Sequence, residues 1–277
     1  MMKQVLGKVY LVGAGPGDPE LLTLKGKRCL EAAETILYDR LVDESILDFA
    51  SPDAGLIYCG KKAGGHCLPQ CEIEAIMISR AKEGKIVVRL KGGDPFIFGR
   101  GGEEAEALRN AGVPYEVVPG VSSAIAAPAY AGIPLTHREY SSSVAIVTGH
   151  KACGGQGAVK LERLAGAVDT LVILMGLGNL KNNMSRLMHG GLNPETPVAI
   201  VRWGTCPYQQ TLVGTVETIA DLAEKRKLRS PVVIVVGDVV RLRGKLSWFE
   251  GLASNLPDPV NVEIEAGERD NPALPCI

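Results

Sequence analysis

Val9-Tyr-Leu-Val-Gly-Ala-Gly-Pro-Gly-Asp-Pro19 is a short apolar run that breaks into a turn built of glycine and proline. A first strand ending this way is how an open α/β sheet presents its carboxyl ends to a ligand. The same style continues downstream. Strands are expected at Val9–Val12, Thr35–Tyr38, Leu56–Cys59, Ile86–Leu90 and Tyr115–Val118, separated by helical patterns around Leu24–Ala33, Glu72–Ala81 and Glu103–Asn110. A second series follows at Val144–Thr148, Thr170–Met175, Val198–Trp203, Gln210–Val213 and Val232–Val236, with helices near Asn182–Met188 and Val216–Glu224. Short β-rich runs alternating with longer helices predict an α/β protein whose parallel strands are joined by crossover helices.

Proline and a serine run in Gly132-Ile-Pro-Leu-Thr-His-Arg-Glu-Tyr-Ser-Ser-Ser143 interrupt both periodicities just before a fresh strand. Two lobes are therefore expected, at 1–137 and 138–249, each with a mainly parallel sheet. After Phe249 the chain carries four prolines (Pro257, Pro259, Pro272, Pro275), several acidic residues and almost no apolar periodicity. The stretch 250–277 is expected to be an extended or disordered tail, dispensable for chemistry.

With 277 residues, 46% of them hydrophobic and 22% charged, the chain has the composition of a globular protein with enough length for two cores. A formal net charge of −1 creates no global field for nucleic acid or an anionic membrane, so an anionic substrate has to be met by locally clustered Arg and Lys. The run Val9–Ala14 is too short for a secretory signal and nothing reaches the length of a membrane span, which makes the cytoplasm the expected compartment. Seven scattered cysteines suit reduced thiols better than a disulfide framework. His66, Cys67 and Cys71 lie close in sequence, but a single cluster without a second pair is a weak zinc signal, and no metal is expected. His137, His150 and His189 also lack metal-ligand spacing and are expected to be structural.

The first turn invites a dinucleotide reading, because Asp39 lies about 20 positions beyond the glycines, where a ribose-binding acid is required. Two features oppose it. The third glycine position is Asp18, and Pro16 and Pro19 delay the helix to about Thr23, so no helix N-terminus faces the turn as a pyrophosphate cradle. A nicotinamide-dependent oxidoreductase thus remains only as the alternative from a different class.

Longer motifs are more specific. The opening turn with Leu22-Thr-Leu-Lys25 resembles the first motif of the tetrapyrrole methylases, and Val88-Arg-Leu-Lys-Gly-Gly-Asp-Pro-Phe-Ile-Phe-Gly-Arg-Gly-Gly-Glu-Glu104 resembles their second. Val118-Pro-Gly-Val-Ser-Ser-Ala124, Gly132-Ile-Pro-Leu-Thr-His-Arg138, Thr148-Gly-His150, Leu174-Met-Gly176 and Gly204-Thr205 continue the resemblance in order, over about residues 8–249. Within that family, Tyr38-Asp-Arg-Leu-Val42, Gly60-Lys61 and Leu242-Arg-Gly-Lys-Leu-Ser-Trp-Phe249 are most similar to the branch that methylates uroporphyrinogen III. The dehydrogenase and ferrochelatase module of the bifunctional relatives is lacking, so methylation alone is expected. Ser122-Ser123, where relatives often carry Thr-Ala or Thr-Ser, and the acidic tail depart from the family pattern.

The resemblance implies a two-lobed fold with the active site in the cleft between the lobes, S-adenosylmethionine as methyl donor without a metal, and a homodimer. It implies two successive methylations of uroporphyrinogen III, at carbons 2 and 7, giving precorrin-2 by way of precorrin-1 in siroheme- or cobalamin-type biosynthesis. A methyltransferase acting on a later precorrin is the alternative within the class. Donor-site residues carried over are Pro16, Gly92, Gly93, Asp94, Ile97, Ser122, Ser123, Met175 and Gly204. A polycarboxylate macrocycle needs forked cations that grip carboxylates, and the candidates are Arg100, Arg138, Lys61 and Lys62. For the proton that leaves after carbon methylation, the resemblance suggests Asp39 as acceptor and Lys61 as donor, while Arg100 with Glu103 is a second candidate pair. The plainer alternatives are a helix cap for Asp39 and a surface charge for Lys61.

Overall fold

The computed structural model describes residues 6–60, 68–149 and 159–249. The first five strands, β1 (Lys8–Gly13), β2 (Thr35–Tyr38), β3 (Gly55–Tyr58), β4 (Ile86–Lys91) and β5 (Tyr115–Val118), form one sheet in the order β3-β2-β4-β1-β5. Every pairing in it is parallel. Side chains alternate between its faces as the period of two demands. Helix α1 (Leu24–Glu31) covers one face, where Cys29 and Leu30 pack with Val12, Ile36, Val88 and Leu90. Helices α2 (Gln70–Lys82) and α3 (Gly101–Asn110) cover the other, with Ile73, Met77, Ala105 and Leu108 against Val9, Leu11, Leu37 and Val87.

Strands β1 and β4 are adjacent, yet the helices that follow them lie on opposite faces. The two exit turns stay hydrogen-bonded to one another before their loops part toward opposite faces, the place at the strand carboxyl ends where open α/β sheets bind ligands. The glycine-rich turn after β1 and the Gly92-Gly93-Asp94 turn after β4 both fall there.

The second sheet holds β6 (Val144–Thr148), β7 (Thr170–Leu174), β8 (Pro197–Arg202), β9 (Gln210–Thr215) and β10 (Val232–Val236), in the order β6-β7-β10-β8-β9. Here the expectation of a mainly parallel sheet in each lobe is corrected. Only β6 and β7 run parallel, whereas the β7–β10, β10–β8 and β8–β9 pairs are antiparallel. The linker between β8 and β9 is only Trp203–Gln209, too short for the crossover of a dozen or more residues that a parallel pair requires. Strand β10 is Val-Val-Ile-Val-Val, buried throughout, and a strand covered on both faces reads as one apolar run whichever way it points.

On this sheet α5 (Leu161–Leu164), α6 (Leu180–His189) and α7 (Ile219–Lys225) share one face, where Leu161, Met184, Leu187 and Ile219 meet Ile173, Ile200 and Ile234. The opposite face is covered by α4 (Ser123–Tyr130), whose Ala124 and Ala127, with Ala131 just beyond, pack on Val172, Val201, Val233 and Val235. Helix α4 escaped the sequence pattern because Ser123-Ala-Ile-Ala-Ala-Pro-Ala-Tyr130 has no polar stripe to reveal a period. It precedes residue 137 and nevertheless packs on the second sheet, so it straddles the two halves. The closing helix α8 (Arg243–Leu246) leads back to it. Arg243 Nη1 donates to the Ala131 carbonyl at 2.6 Å, and Trp248 Nε1 to the Ala129 carbonyl at 3.1 Å. Among the described residues no helix is long and apolar enough to cross a membrane. The expected tail 250–277 lies outside the described residues.

Candidate active site at the strand carboxyl ends

Three turns of the first sheet meet through their backbones. Gly15 donates its N–H to the Gly93 carbonyl at 3.2 Å, and Gly93 returns one to Gly15 at 2.6 Å. A Cβ on Gly13 would lie 2.5 Å from the Gly93 oxygen and 2.6 Å from the Gly120 nitrogen, so only glycine allows this approach. Asp94 ties the group together: Oδ1 accepts from the Phe96 N–H at 2.8 Å and Oδ2 from the Gly120 N–H at 3.1 Å. On Gly92 a Cβ would stand 2.8 Å from the Leu41 Cβ. Gly93 differs, because its φ is +69° and a Cβ there would meet the Ser123 nitrogen only at 3.7 Å. The Gly93 turn thus lies directly against the start of α4, bringing the β1, β4 and β5 turns and the Ser122–Ser123 backbone to one place. Ser122 caps α4, its Oγ accepting from the Ala124 N–H at 3.3 Å, and Ser123 opens the helix. Pro16 lies half-buried in the β1 turn, and Ile97 is 42% exposed on the β4 loop.

The second half contributes from the ends of β7 and β8. Met175 follows β7 with φ +53° and 45% of its surface exposed. The Thr205 Oγ1 accepts from the Asp18 N–H at 2.9 Å, and Asp18 Oδ2 accepts from the Tyr130 hydroxyl at 2.7 Å. The first turn is thereby bonded both to α4 and to the β8 loop. Burial, and then the Asp18 carboxylate, push the Tyr130 hydroxyl pKa upward. The Tyr130 ring in turn packs against Trp248 and Phe249, at centroid separations of 4.9 and 4.8 Å. At Gly204 a Cβ would lie 2.2 Å from the Ala127 Cβ, so this glycine is required by the helix behind it. Of the non-glycine residues with positive φ, Phe98, Arg100, Met175, Trp203 and Thr205 all sit on these loops. Such backbone costs about 1–3 kcal/mol each and collects at ligand sites. Phe98 and Thr205 lie in the quoted motifs and Trp203 ends an expected strand, but none was carried over as a site residue, since composition carries no trace of a left-handed backbone at a non-glycine residue.

The charged candidates separate into distinct places. Arg100 caps α3 in a left-handed conformation, and its Nε donates to Glu103 Oε1 at 3.0 Å. Each of these side chains is 55% exposed. The hydrogen bond from Arg100 holds the Glu103 carboxyl below its ordinary pKa, and the same contact raises that of Arg100. A substrate carboxylate would compete with Glu103 for this fork. Arg138 is exposed on the linker before β6 and makes no ion pair among the described residues. Asp39 stands at the end of β2, where Oδ1 accepts from the Leu41 N–H at 3.1 Å and Oδ2 from Arg89 Nη2 at 3.4 Å. It is thus a turn cap and the partner of a cation at once. Lys61 and Lys62 lie outside the described residues, as do His66, Cys67 and His150. Among the described residues no group of three or more His, Cys, Asp or Glu side chains is placed to hold a metal.

Behind Asp39 lies a cluster absent from the sequence-based expectations. Arg89 and Lys91, from β4, and Glu104, from α3, are 4%, 5% and 0% exposed. Glu104 Oε1 accepts from Arg89 Nε at 3.1 Å, Lys91 Nζ at 3.1 Å and Gln70 Nε2 at 3.2 Å. Burial, with the neighbouring Arg89 charge, pushes the Lys91 pKa down. The available signal was a pair of cations at alternate positions of a strand otherwise expected to be wholly apolar.

The sequence profile of the Tetrapyrrole (Corrin/Porphyrin) Methylases matches residues 8–220. A uroporphyrinogen-III C-methyltransferase of Priestia megaterium is 54% identical over 235 residues, covering 85% of this chain and 99% of that relative. An S-adenosyl-L-methionine-dependent uroporphyrinogen III methyltransferase of Methanosarcina barkeri is also 54% identical, over 85% of this chain and 93% of its own length. Among solved structures, the uroporphyrin-III C-methyltransferase of Thermus thermophilus complexed with S-adenyl homocysteine superposes with a TM-score of 0.73 at 44% identity, covering 85% of this chain and all of that one. Fold, loop geometry and sequence agree, and the chain belongs to the tetrapyrrole methylases.

Proposed function

We propose that the chain transfers methyl groups from S-adenosylmethionine to carbons 2 and 7 of uroporphyrinogen III, giving precorrin-2 through precorrin-1. The observation that carries this reading is 54% identity across 99% of a relative named uroporphyrinogen-III C-methyltransferase, together with interlocked turns at the carboxyl ends of β1 and β4. When bound, the donor supplies an electrophilic methyl on a sulfonium, and attack by a pyrrole carbon leaves S-adenosylhomocysteine. The protein's own part is placement and proton handling. The turns at Pro16, Gly92, Gly93 and Asp94, the first residues of α4 (Ser122 and Ser123), and Ile97, Met175 and Gly204 form the donor side. Arg100 and Arg138, with Lys61 and Lys62, meet the substrate carboxylates. Asp39 takes up the proton released from the macrocycle, with Lys61 as donor and the Arg100–Glu103 pair as second candidate.

Two lobes, 1–137 and 138–249, close on this site, with α4 as their shared wall. A homodimer in the cytoplasm, feeding siroheme- or cobalamin-type biosynthesis, completes the proposal. The test incubates purified protein with S-adenosylmethionine and uroporphyrinogen III under anaerobic conditions. Expected are a product heavier by two CH2 units, one methyl gained and one proton lost at each step, and two equivalents of S-adenosylhomocysteine, with a chelator making no difference. Methylation only of an already methylated precorrin, or activity lost to the chelator and restored by zinc, would overturn the reading.

A further inference from the structure

We propose that Arg89 is a positioning residue for Asp39, anchored from behind by Glu104. The inference rests on the proposed role of Asp39 as proton acceptor. Arg89 sits in the middle of a central parallel strand, in register with Leu37 of β2, and is 4% exposed. Burying such a charge carries a desolvation penalty that apolar packing of similar volume would avoid, so stability alone does not account for it. Each guanidinium nitrogen has an assigned place. Nε donates to Glu104 Oε1 at 3.1 Å, Nη1 to the carbonyls of Leu90 at 3.0 Å and Leu37 at 3.4 Å, and Nη2 to Asp39 Oδ2 at 3.4 Å. The planar fork is therefore fixed in rotation, and it presents one N–H edge to Asp39.

Glu104 is the pin of this arrangement. Three donors converge on its Oε1, while Oε2 is buried with no hydrogen-bond partner among the described residues. The contact with Glu104 Oε1 fixes where Arg89 Nε points, and with it the face that Nη2 turns to Asp39. Among the charged members Asp39 is the one open to solvent, with 29% of its side chain exposed against 5% for Arg89, 6% for Lys91 and 0% for Glu104. Its other oxygen is held by the Leu41 N–H, so the carboxylate plane is fixed at both atoms before substrate arrives. Arg89 itself transfers no proton.

A double-mutant cycle on the full chain tests this. Arg89→Met should lower kcat by about tenfold or more, leave KM for both substrates and S-adenosylhomocysteine affinity within about threefold, and cost less than about threefold further in an Asp39→Asn background. Arg89→Lys, which keeps a cation at the position, should recover part of the loss. Multiplying effects of Arg89→Met and Asp39→Asn would overturn the positioning role while leaving that of Asp39 intact. An Asp39→Asn enzyme with unchanged kcat would instead remove the proton-acceptor reading, and this inference with it. If Arg89→Met does not fold, Glu104→Gln preserves volume and the Oε1 acceptor. Its smaller kcat loss should likewise vanish in the Asp39→Asn background, and persistence there would overturn the proposal.

Discussion

Gly204→Ala probes the joint between the second sheet and the loops proposed to hold the methyl donor. The added methyl would lie 2.2 Å from the Ala127 Cβ and 2.9 Å from the main chain of the same residue. Apolar carbons rest no closer than about 3.5 Å, so loop and helix must separate by about 1.3 Å. The obstacle is helix α4 itself, which no side-chain rotation can relieve, so the cost belongs toward the upper part of the usual overpacking range, about 2–3 kcal/mol. For a chain of this size that corresponds to a fall in Tm of about 4–12 °C. Function should suffer as well. The displaced elements carry Ser122 and Ser123 on one side and Thr205, the partner of Asp18, on the other, and a misplacement of about 1 Å can cost as much as a hundredfold in a positioned reaction. Scanning calorimetry and titration with S-adenosylhomocysteine read the two effects, with affinity expected to drop by about tenfold. Ala127→Gly added to Gly204→Ala should restore part of both, since it removes the nearer clash but leaves the one with the helix backbone and costs about 1 kcal/mol of helix propensity. A Gly204→Ala protein with unchanged Tm and unchanged affinity would refute the close approach of loop and helix as the reason for glycine.

Arg100→Ala should weaken tetrapyrrole binding or turnover at least tenfold, because losing a charge-assisted forked contact costs about 2–4 kcal/mol, while calorimetry shows near-normal S-adenosylmethionine affinity. Asp94→Ala should do the reverse, raising the donor's Kd, since it strips the acceptor from the Phe96 and Gly120 N–H groups that lock the turns; exchanged phenotypes would refute both placements. Glu116 is held by Lys25, and next by Lys8, at a pKa of about 2 instead of 4.5. A depressed carboxylate contributes stability that is present above its unfolded pKa and lost as pH falls through the folded one. Glu116→Gln should therefore flatten the decline in Tm between about pH 5 and pH 2, and a decline as steep as that of the unmodified protein would show the pair to be silent.

Strand positions in both halves were legible along the chain. The runs Thr35–Tyr38, Tyr115–Val118, Val144–Thr148 and Val232–Val236 coincide with β2, β5, β6 and β10. Apolar periodicity is a local property of the residues that bear it, and the glycine–proline turn after β1 announces itself for the same reason. Gly13 and Gly93 were marked as glycines in a ligand turn, and the structure adds that Gly13 is needed because two other backbones press against it. Strand direction in the second sheet was not legible, because Val-Val-Ile-Val-Val is equally buried whether β10 runs with or against its neighbours.

Glu103 and Glu104 show the same limit at the scale of one site. Adjacent and chemically alike, they point to opposite environments, one exposed against Arg100 and the other buried under Arg89 and Lys91. The family resemblance marked Asp39, Arg100 and Glu103 as candidates and left Arg89, Lys91 and Glu104 unassigned. Only the tertiary structure decided which of them pair, because Arg89 meets Asp39 across two strands and Glu104 across the helix packed on them. Those distances are set by how the sheet and helix close on one another, and no local stretch of sequence contains them.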